Sequence, residues 1–500
     1  MGIPSYYKKL IDIVPGLVSR SKKDIQWLFM DFNCLIYHCI NEDYKEDLKE
    51  EWEDKFLDSI VKYCLNVIKE VNPLTGVFIA IDGVVPMAKM RQQRLRRFKS
   101  VWTTTESTTE STTESTTESS AKWDKNAITP GTLFMGKLKQ RLQSLNYILS
   151  SSDEPGEGEH KIIAEWRKGT YKGNYAVYGL DADLIVLSML GHECYNLNSI
   201  WLFREDINDE NDIFNWFSIN LLKDWLCSRF ERKREFILNY CFALSILGND
   251  FLPSSLGLKM REDGHSKLLD IIECLTFKKI CLIDPVSLVV VTENVMILFK
   301  TLSADEPARI SKYIYKKQML ANNIETELKL GEHNWPLAHI EESVLLDRKQ
   351  LCIGWQEKYA RFLSGSKEEI CREYLLGIQW IWSYYTGNDV CFNWYYPHNL
   401  PPLWEWICTY LSTHPIPTLE IHIRGSDIKP VEQLALVLPL ESWSLLPLSL
   451  RCLPFFAPQY YPHTFSFESI GKRYFWECEP LIPIPSILEI KHILTTISSK

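Results

Sequence analysis

No Cys-x-x-Cys pair occurs anywhere in this chain, although its 500 residues include fourteen cysteines. Closely spaced cysteine pairs are what structural zinc sites are built from, so nothing here suggests zinc. Scattered as Cys34, Cys39, Cys194, Cys241 and Cys391 are, the thiols read as small core residues of a reducing compartment. No stretch approaches the apolar length of a membrane span, and Met1 to Lys9 lack the hydrophobic region of a signal peptide. Position 6 is Tyr6, where a myristoylation signal has Ser or Thr. These absences lead us to expect an intracellular chain that does not touch a membrane, in the cytoplasm rather than the nucleus. Glycine is also sparse, at 22 residues, whereas 46% of the chain is hydrophobic and 12% aromatic. That balance suits a well-filled core, with disorder local at most.

What the chain does have is carboxylates at the ends of apolar runs. Asp181-Ala182-Asp183 closes the run Tyr175–Leu180 and continues into Leu184-Ile185-Val186-Leu187. Bare charges wedged into such a segment are costly to bury, and a divalent metal is the natural compensation. The punctuation recurs where Asp31 closes Trp27–Met30, Asp82 closes Val77–Ile81, and Asp250 follows Ala243–Asn249. Short apolar runs ending in Asp read as parallel strands, whose carboxyl ends face a crevice in open α/β sheets. Pro155-Gly156-Glu157-Gly158-Glu159-His160-Lys161 is a glycine-punctuated turn that leads into the helix-like run Ile162–Trp166 and sets Glu157 and Glu159 near a helix start. Any one of these residues alone reads first as a helix or turn cap. Together they predict an acidic metal site on an α/β core. All-oxygen ligands favour Mg²⁺, with Mn²⁺ as a substitute, and two ions roughly 3.5–4 Å apart are the usual solution for in-line displacement at phosphorus.

The second feature is a basic island, Lys89 to Lys99, in a chain of formal net charge −9. Read as a helix, it places Lys89, Gln93, Arg96 and Arg97 at i, i+4, i+7 and i+8, on one face able to clamp a terminal phosphate. The alternative is a solvated helix or a nuclear-localisation patch; the glutamines within the run and the nearness of Asp82 favour the pocket. Thr104 to Ser119 repeats Thr-Thr-Glu-Ser, a polar tract with nothing to bury, and predicts a flexible insertion over 103–122. Overall acidity does not argue against a nucleic-acid substrate, because positive potential is needed only along the channel.

Taken in order, Met1-Gly2-Ile3-Pro4, Asp31-Phe32-Asn33, Asp82 to Arg94, Ile128 to Thr132, Pro155 to Lys161, Tyr178 to Leu184 and Gly248 to Pro253 resemble the first region of the XRN family of 5′-to-3′ exoribonucleases. Gly377 to Tyr385, Trp394 to His398, Pro430 to Pro439 and Gly471 to Glu477 are similar to that family's second region, so nearly the whole chain is covered. The resemblance implies a metal site made of Asp31, Asp82, Glu157, Glu159, Asp181, Asp183 and Asp250. It implies a 5′-monophosphate pocket made of Lys89, Gln93, Arg96 and Arg97. For base stacking it implies Tyr37 or His38 on one side. On the other side it implies Phe392 or Trp394, of which we take Trp394. The expected fold is α/β, a mostly parallel central sheet flanked by helices with the acidic site at strand ends, plus a closely packed mixed C-terminal region. We divide it into a nuclease core over 1–302, a helical connector over 303–345 and a second region over 346–500. The implied activity is metal-dependent hydrolysis of single-stranded RNA bearing a 5′-monophosphate, releasing 5′-mononucleotides, by a monomer. A structure-selective flap endonuclease and a noncatalytic RNA-binding scaffold are the alternatives.

Overall fold

The computed structural model describes every residue except 1–2, 4, 42–43, 110–121, 207–212, 325–326 and 499–500. In Trp27-Leu28-Phe29-Met30-Asp31 successive side chains fall on opposite faces and both faces are apolar, the pattern of a strand covered on each side. That segment is a central member of a seven-stranded sheet. Its strands are β1 (Val18–Ser19), β2 (Trp27–Asp31), β3 (Gly76–Ala80), β4 (Ile148–Ser150), β5 (Tyr175–Tyr178), β6 (Ile200–Glu205) and β7 (Phe214–Ser218). They lie in the order β1-β7-β6-β5-β2-β3-β4. From β6 through β4 every neighbouring pair is parallel, while β7 joins β6 and β1 antiparallel. The mostly parallel sheet flanked by helices is therefore as expected.

The helices that matter for the site are α1 (Lys49–Val71), α2 (Met87–Thr109), α3 (Leu133–Gln143), α4 (Gly158–Arg167), α5 (Asp183–Tyr195), α6 (Lys233–Leu244), α7 (Glu306–Ala321), α8 (Lys367–Tyr385) and α9 (Pro430–Val437). Leu28 and Met30 pack with Phe56 and Leu57 of α1 and Leu138 of α3, on one face of the sheet. Phe29 and Val177 turn the other way, toward Ile162 and Trp166 of α4 and Leu184 of α5. The same cluster continues into Trp380 and Tyr384 of α8 and Leu434 of α9, so the C-terminal region shares the core of the first. No described helix is long and apolar enough to cross a membrane.

Two expected strand segments are helical. Leu184–Leu187 belongs to α5, and Ala243–Asn249 is the end of α6 followed by a 3₁₀ turn over Ser245–Leu247. Both are buried all round, and an unbroken apolar run has no period by which a buried helix can be told from a buried strand. The 303–345 segment contains α7, a short helix at Trp335–Ala338 and a 3₁₀ turn at Glu341–Leu345. The Thr-Thr-Glu-Ser tract begins as a continuation of α2 to Thr109; its remainder, within the expected 103–122 insertion, lies outside the described residues.

Candidate active site

Between β2 and β5 the chain order reverses: β2 leads to β3 on one side, and β5 lies on the other. Crevices at such switch points are where open α/β sheets bind ligands. Asp31 ends β2, Asp82 follows β3 by two residues, and Asp181 follows β5 by three, so all three carboxylates leave the same edge of the parallel strands. Glu157 stands at the N-cap position of α4 with its side chain turned to the site and not to the helix, and Glu159 sits in the first turn, while Asp183 is the first residue of α5. Gly158 permits this approach, because a Cβ there would lie 2.5 Å from Asp31 Oδ1. Asp250 reaches the site from a loop. Gly248, at φ +92°, reverses the chain, and Asn249 Oδ1 accepts the backbone N–H groups of Phe251 and Leu252 at 2.9 Å each.

Three of the carboxylates are held by neighbouring donors. Asp82 accepts from Asn33 Nδ2 at 2.9 Å and from the Gly158 backbone N–H at 2.7 Å, and its own N–H returns to Asn33 Oδ1 at 3.1 Å. Asp183 accepts from the Ile3 backbone N–H at 3.0 Å. Glu157 Oε1 accepts from the Tyr384 hydroxyl at 2.7 Å, and the Tyr384 ring stacks on His160 at 4.3 Å between centroids. Behind them the buried Lys161 ammonium donates to the carbonyls of Ile81 at 2.6 Å and Ser151 at 2.7 Å, fixing the β3–β4 edge.

The dominant electrostatic fact is an excess of buried negative charge. Burial, then the charges of Asp82, Asp181 and Glu157, push the Asp31 carboxyl well above its ordinary range. Burial and Glu157 push Asp82 up to about 6, and burial and Asp250 push Asp183 up to about 7. Glu159 is raised well above its usual value by burial, Glu157 and Asp183. Among the described residues a lysine side chain reaches into them. Lys89 Nζ sits 2.6 Å from Glu157 Oε2 and 2.9 Å from Asp250 Oδ2, which holds Asp250 below the ordinary carboxylate range against its burial.

Among the described residues no group of three or more His, Cys, Asp or Glu side chains is set as a metal-holding cluster. The acidic metal site expected at strand ends is thus not present as a coordination shell; the structure has a convergence of carboxylates with a lysine among them. The donor set nevertheless suits a hard cation. The converging donors are all carboxylate oxygens, burial and then mutual repulsion raise several of them toward protonation, and Glu159 Oε2 is buried with no hydrogen-bond partner.

The basic helix forms as expected, but its residues divide. Lys89 belongs to the acidic cluster. Gln93 is buried and its Oε1 accepts from Gln433 Nε2 of α9 at 3.3 Å, while Gln433 Oε1 accepts the Val85 N–H at 3.0 Å. Arg97 is buried, donates from Nη2 to Thr129 Oγ1 at 2.7 Å, and keeps Nη1 without a partner. Burial, against the pull of Tyr37, lowers it to about 10. Arg96 is exposed.

Tyr37 is 42% exposed. His38 is also exposed and leans on Tyr63, with ring centroids 4.5 Å apart. Phe392 and Trp394 are both buried, and Trp394 packs on Trp380 at 5.4 Å and against Gly377. In this arrangement neither offers an open face. The participants that residue patterns did not single out are Asn33, Tyr384 and the Ile3 backbone. All three lie in segments that carry the family resemblance, Met1 to Pro4, Asp31 to Asn33 and Gly377 to Tyr385, which gave them no role.

Two family profiles match the chain. One, described as the XRN 5′-3′ exonuclease N-terminus, covers residues 1–206, and the other, the Xrn1 helical domain, covers residues 349–497. Among curated relatives, 5′-3′ exoribonuclease 1 of Homo sapiens is 26% identical over 97% of this chain and 33% of its own length. Its Schizosaccharomyces pombe counterpart is 24% identical over 97% of this chain and 47% of its own. The 5′-3′ exoribonuclease 2 of Candida albicans is 23% identical over the whole chain and 72% of its own length. The chain thus spans between a third and a half of the first two relatives.

Proposed function

The chain belongs to the XRN family of 5′-3′ exonucleases, and from that premise we propose that it removes nucleotides one at a time from the 5′ end of single-stranded RNA bearing a 5′-monophosphate. The observation that carries this reading is the placement of one helix, α2, whose Lys89 ion-pairs with Glu157 and Asp250 while Arg97, two turns on, keeps Nη1 without a partner. A terminal phosphate and the scissile phosphodiester one nucleotide away can then be engaged together. Positioning of this kind is the main catalytic resource for displacement at phosphorus.

Divalent cations, two Mg²⁺ with Mn²⁺ as a substitute, would be held by Asp31, Asp82, Glu157, Glu159, Asp181, Asp183 and Asp250 and, when bound, supply Lewis-acid neutralisation of charge for attack at phosphorus. The chain's own groups do the rest. Asn33 and the Gly158 N–H aim Asp82, Tyr384 aims Glu157, and the Ile3 N–H aims Asp183. Arg96, Arg97 and Gln93 would take the terminal phosphate. The unpartnered Nη1 of Arg97 is the group a 5′-hydroxyl end leaves unsatisfied and a monophosphate satisfies. A cap or triphosphate would be rejected by bulk. Tyr37, exposed beside Arg97, would receive a base, a contact of ~1–3 kcal/mol.

The test is degradation of one 3′-labelled single strand carrying a 5′-monophosphate, 5′-hydroxyl or 5′-triphosphate, in Mg²⁺ and in EDTA. Metal-dependent loss of the monophosphate strand alone, with mononucleotides released, is expected. Internal cuts independent of the 5′ end would replace this reading with an endonuclease. RNA binding without cleavage would replace it with a scaffold.

A further inference from the structure

Helix α2 has a second working face. With ~100° per residue, the stripe Arg91-Leu95-Lys99 lies about 160° from the stripe Lys89-Gln93-Arg97, and Arg96 stands between them. The first stripe lines a cavity of about 280 Å³, whose wall also includes Arg96, Asp250 and Trp476. This is close to the lower end of the ~300–1,000 Å³ of small-ligand clefts.

The cavity is cationic and unsatisfied. Its lysines and arginines outnumber its carboxylates seven to four. The carboxylates are already engaged. Asp250 pairs with Lys89 at 2.9 Å, Glu479 with Arg91 at 3.3 Å and Glu262 with Lys316 at 2.6 Å, and Glu477 accepts the Arg473 N–H at 2.7 Å. Among the described residues neither Arg96 nor Lys472 is paired with a carboxylate. Burial, and after it the neighbouring Lys472, push Lys259 down to about 8. Buried polar atoms on the wall also lack partners: Arg91 Nε, Gln92 Oε1, Arg473 Nε and both ring nitrogens of His398, which is only 8% exposed. Buried donors and acceptors are ordinarily satisfied, so five in one cavity mark a place that a polar ligand fits. Also in the lining, the Arg261 guanidinium lies 4.5 Å over the Trp476 ring, which is 44% exposed, giving a flat cationic–aromatic platform of the kind that stacks on a base.

We propose that this cavity is a second ligand site, separate from the terminal-phosphate face, and that it takes a nucleoside 5′-monophosphate, with phosphate at Lys259 and Lys472 and base at Trp476. Resting on the activity proposed above, it is the place to which the released mononucleotide moves, since Asp250 and Arg96 border both compartments. The next RNA phosphate can then enter while the product is still held.

The test is calorimetric titration of the full chain with a nucleoside 5′-monophosphate, the corresponding nucleoside and inorganic phosphate. It is repeated on Lys472→Glu, Trp476→Ala and Arg97→Ala, with Lys472→Gln in reserve should the charge reversal disturb folding. Binding of the monophosphate in the cavity should weaken by roughly tenfold or more in Lys472→Glu and in Trp476→Ala, and persist in Arg97→Ala, which removes only binding at the terminal-phosphate face. The reverse pattern would place the ligand on the terminal-phosphate face and overturn the inference, as would no binding to the native chain. Equal affinity for phosphate and nucleotide would overturn the base-binding role. A chain that binds the nucleotide through Lys472 but does not degrade RNA supports the cavity as a nucleotide site and refutes the exonuclease reading instead.

Discussion

Replacing Lys89 by Met keeps the stem of the side chain and removes the ammonium that pairs with Glu157 and Asp250. Its Nζ lies 2.6 Å from Glu157 and 2.9 Å from Asp250, with side chains 14%, 5% and 8% exposed, so solvent screens the group little. Taking one partner from a buried pair costs about 3–5 kcal/mol, because the remaining charges are left uncompensated. Some of that is recovered as carboxyls take up protons, so a loss of about 3 kcal/mol at neutral pH is the expectation in EDTA. A divalent cation at ~100 times its dissociation constant adds about 2.7 kcal/mol. It should add more to Lys89→Met than to the native chain, since no ammonium then competes for the same oxygens. The assay is urea unfolding followed by tryptophan fluorescence, in EDTA and in MgCl₂. A variant within about 1 kcal/mol of the native chain in EDTA, or an equal Mg²⁺ effect on both, would refute the view that Lys89 compensates the cluster in the metal-free protein.

Asp183→Asn should stabilise the metal-free protein at pH 8 while abolishing hydrolysis. A carboxyl raised to about 7 on folding contributes stability that is present at low pH and lost as pH rises through 7, a loss Asn does not suffer. Thermal melts in EDTA should show the gain shrinking toward pH 4, and a gain that grows on acidification would contradict the assignment. Arg96→Ala should narrow the preference for 5′-monophosphate over 5′-hydroxyl RNA by about 10–100-fold in kcat/KM, the worth of one charged hydrogen bond; equal losses on both substrates would argue against phosphate recognition. Tyr384→Phe keeps the stack on His160 and loses the bond to Glu157, so kcat should fall roughly 5–30-fold with KM little changed. An unaltered kcat would mean that the hydroxyl does not aim the carboxylate.

The parallel core was legible because Trp27–Met30 and Val77–Ile81 are short apolar runs that stop at an aspartate, a pattern strands at a switch point share. Leu184–Leu187 and Ala243–Asn249 have the same local signature, and there packing on all sides, which no window of sequence records, decides for helix. The basic helix was legible from its own spacing. That Lys89 would turn away from Gln93 and Arg97 was not, because its partners Glu157 and Asp250 arrive from loops far along the chain. The burial of Trp394 against Gly377 and Trp380 was hidden for the same reason: an aromatic that stacks on a base and one that fills a core look alike until the neighbours are known.

One hydrogen bond joins the two ends of the chemistry in time as well as in space. The Tyr384 hydroxyl that holds Glu157 lies 227 residues downstream of it. A ribosome adding ~5–20 residues per second needs roughly ten to forty-five seconds to cover that interval. Gln433, which ties Val85 to Gln93, arrives later still. Through that period the emerging chain carries Glu157 without the hydroxyl that aims it, so a polypeptide made on an RNA template completes this carboxylate site only when most of it has left the ribosome.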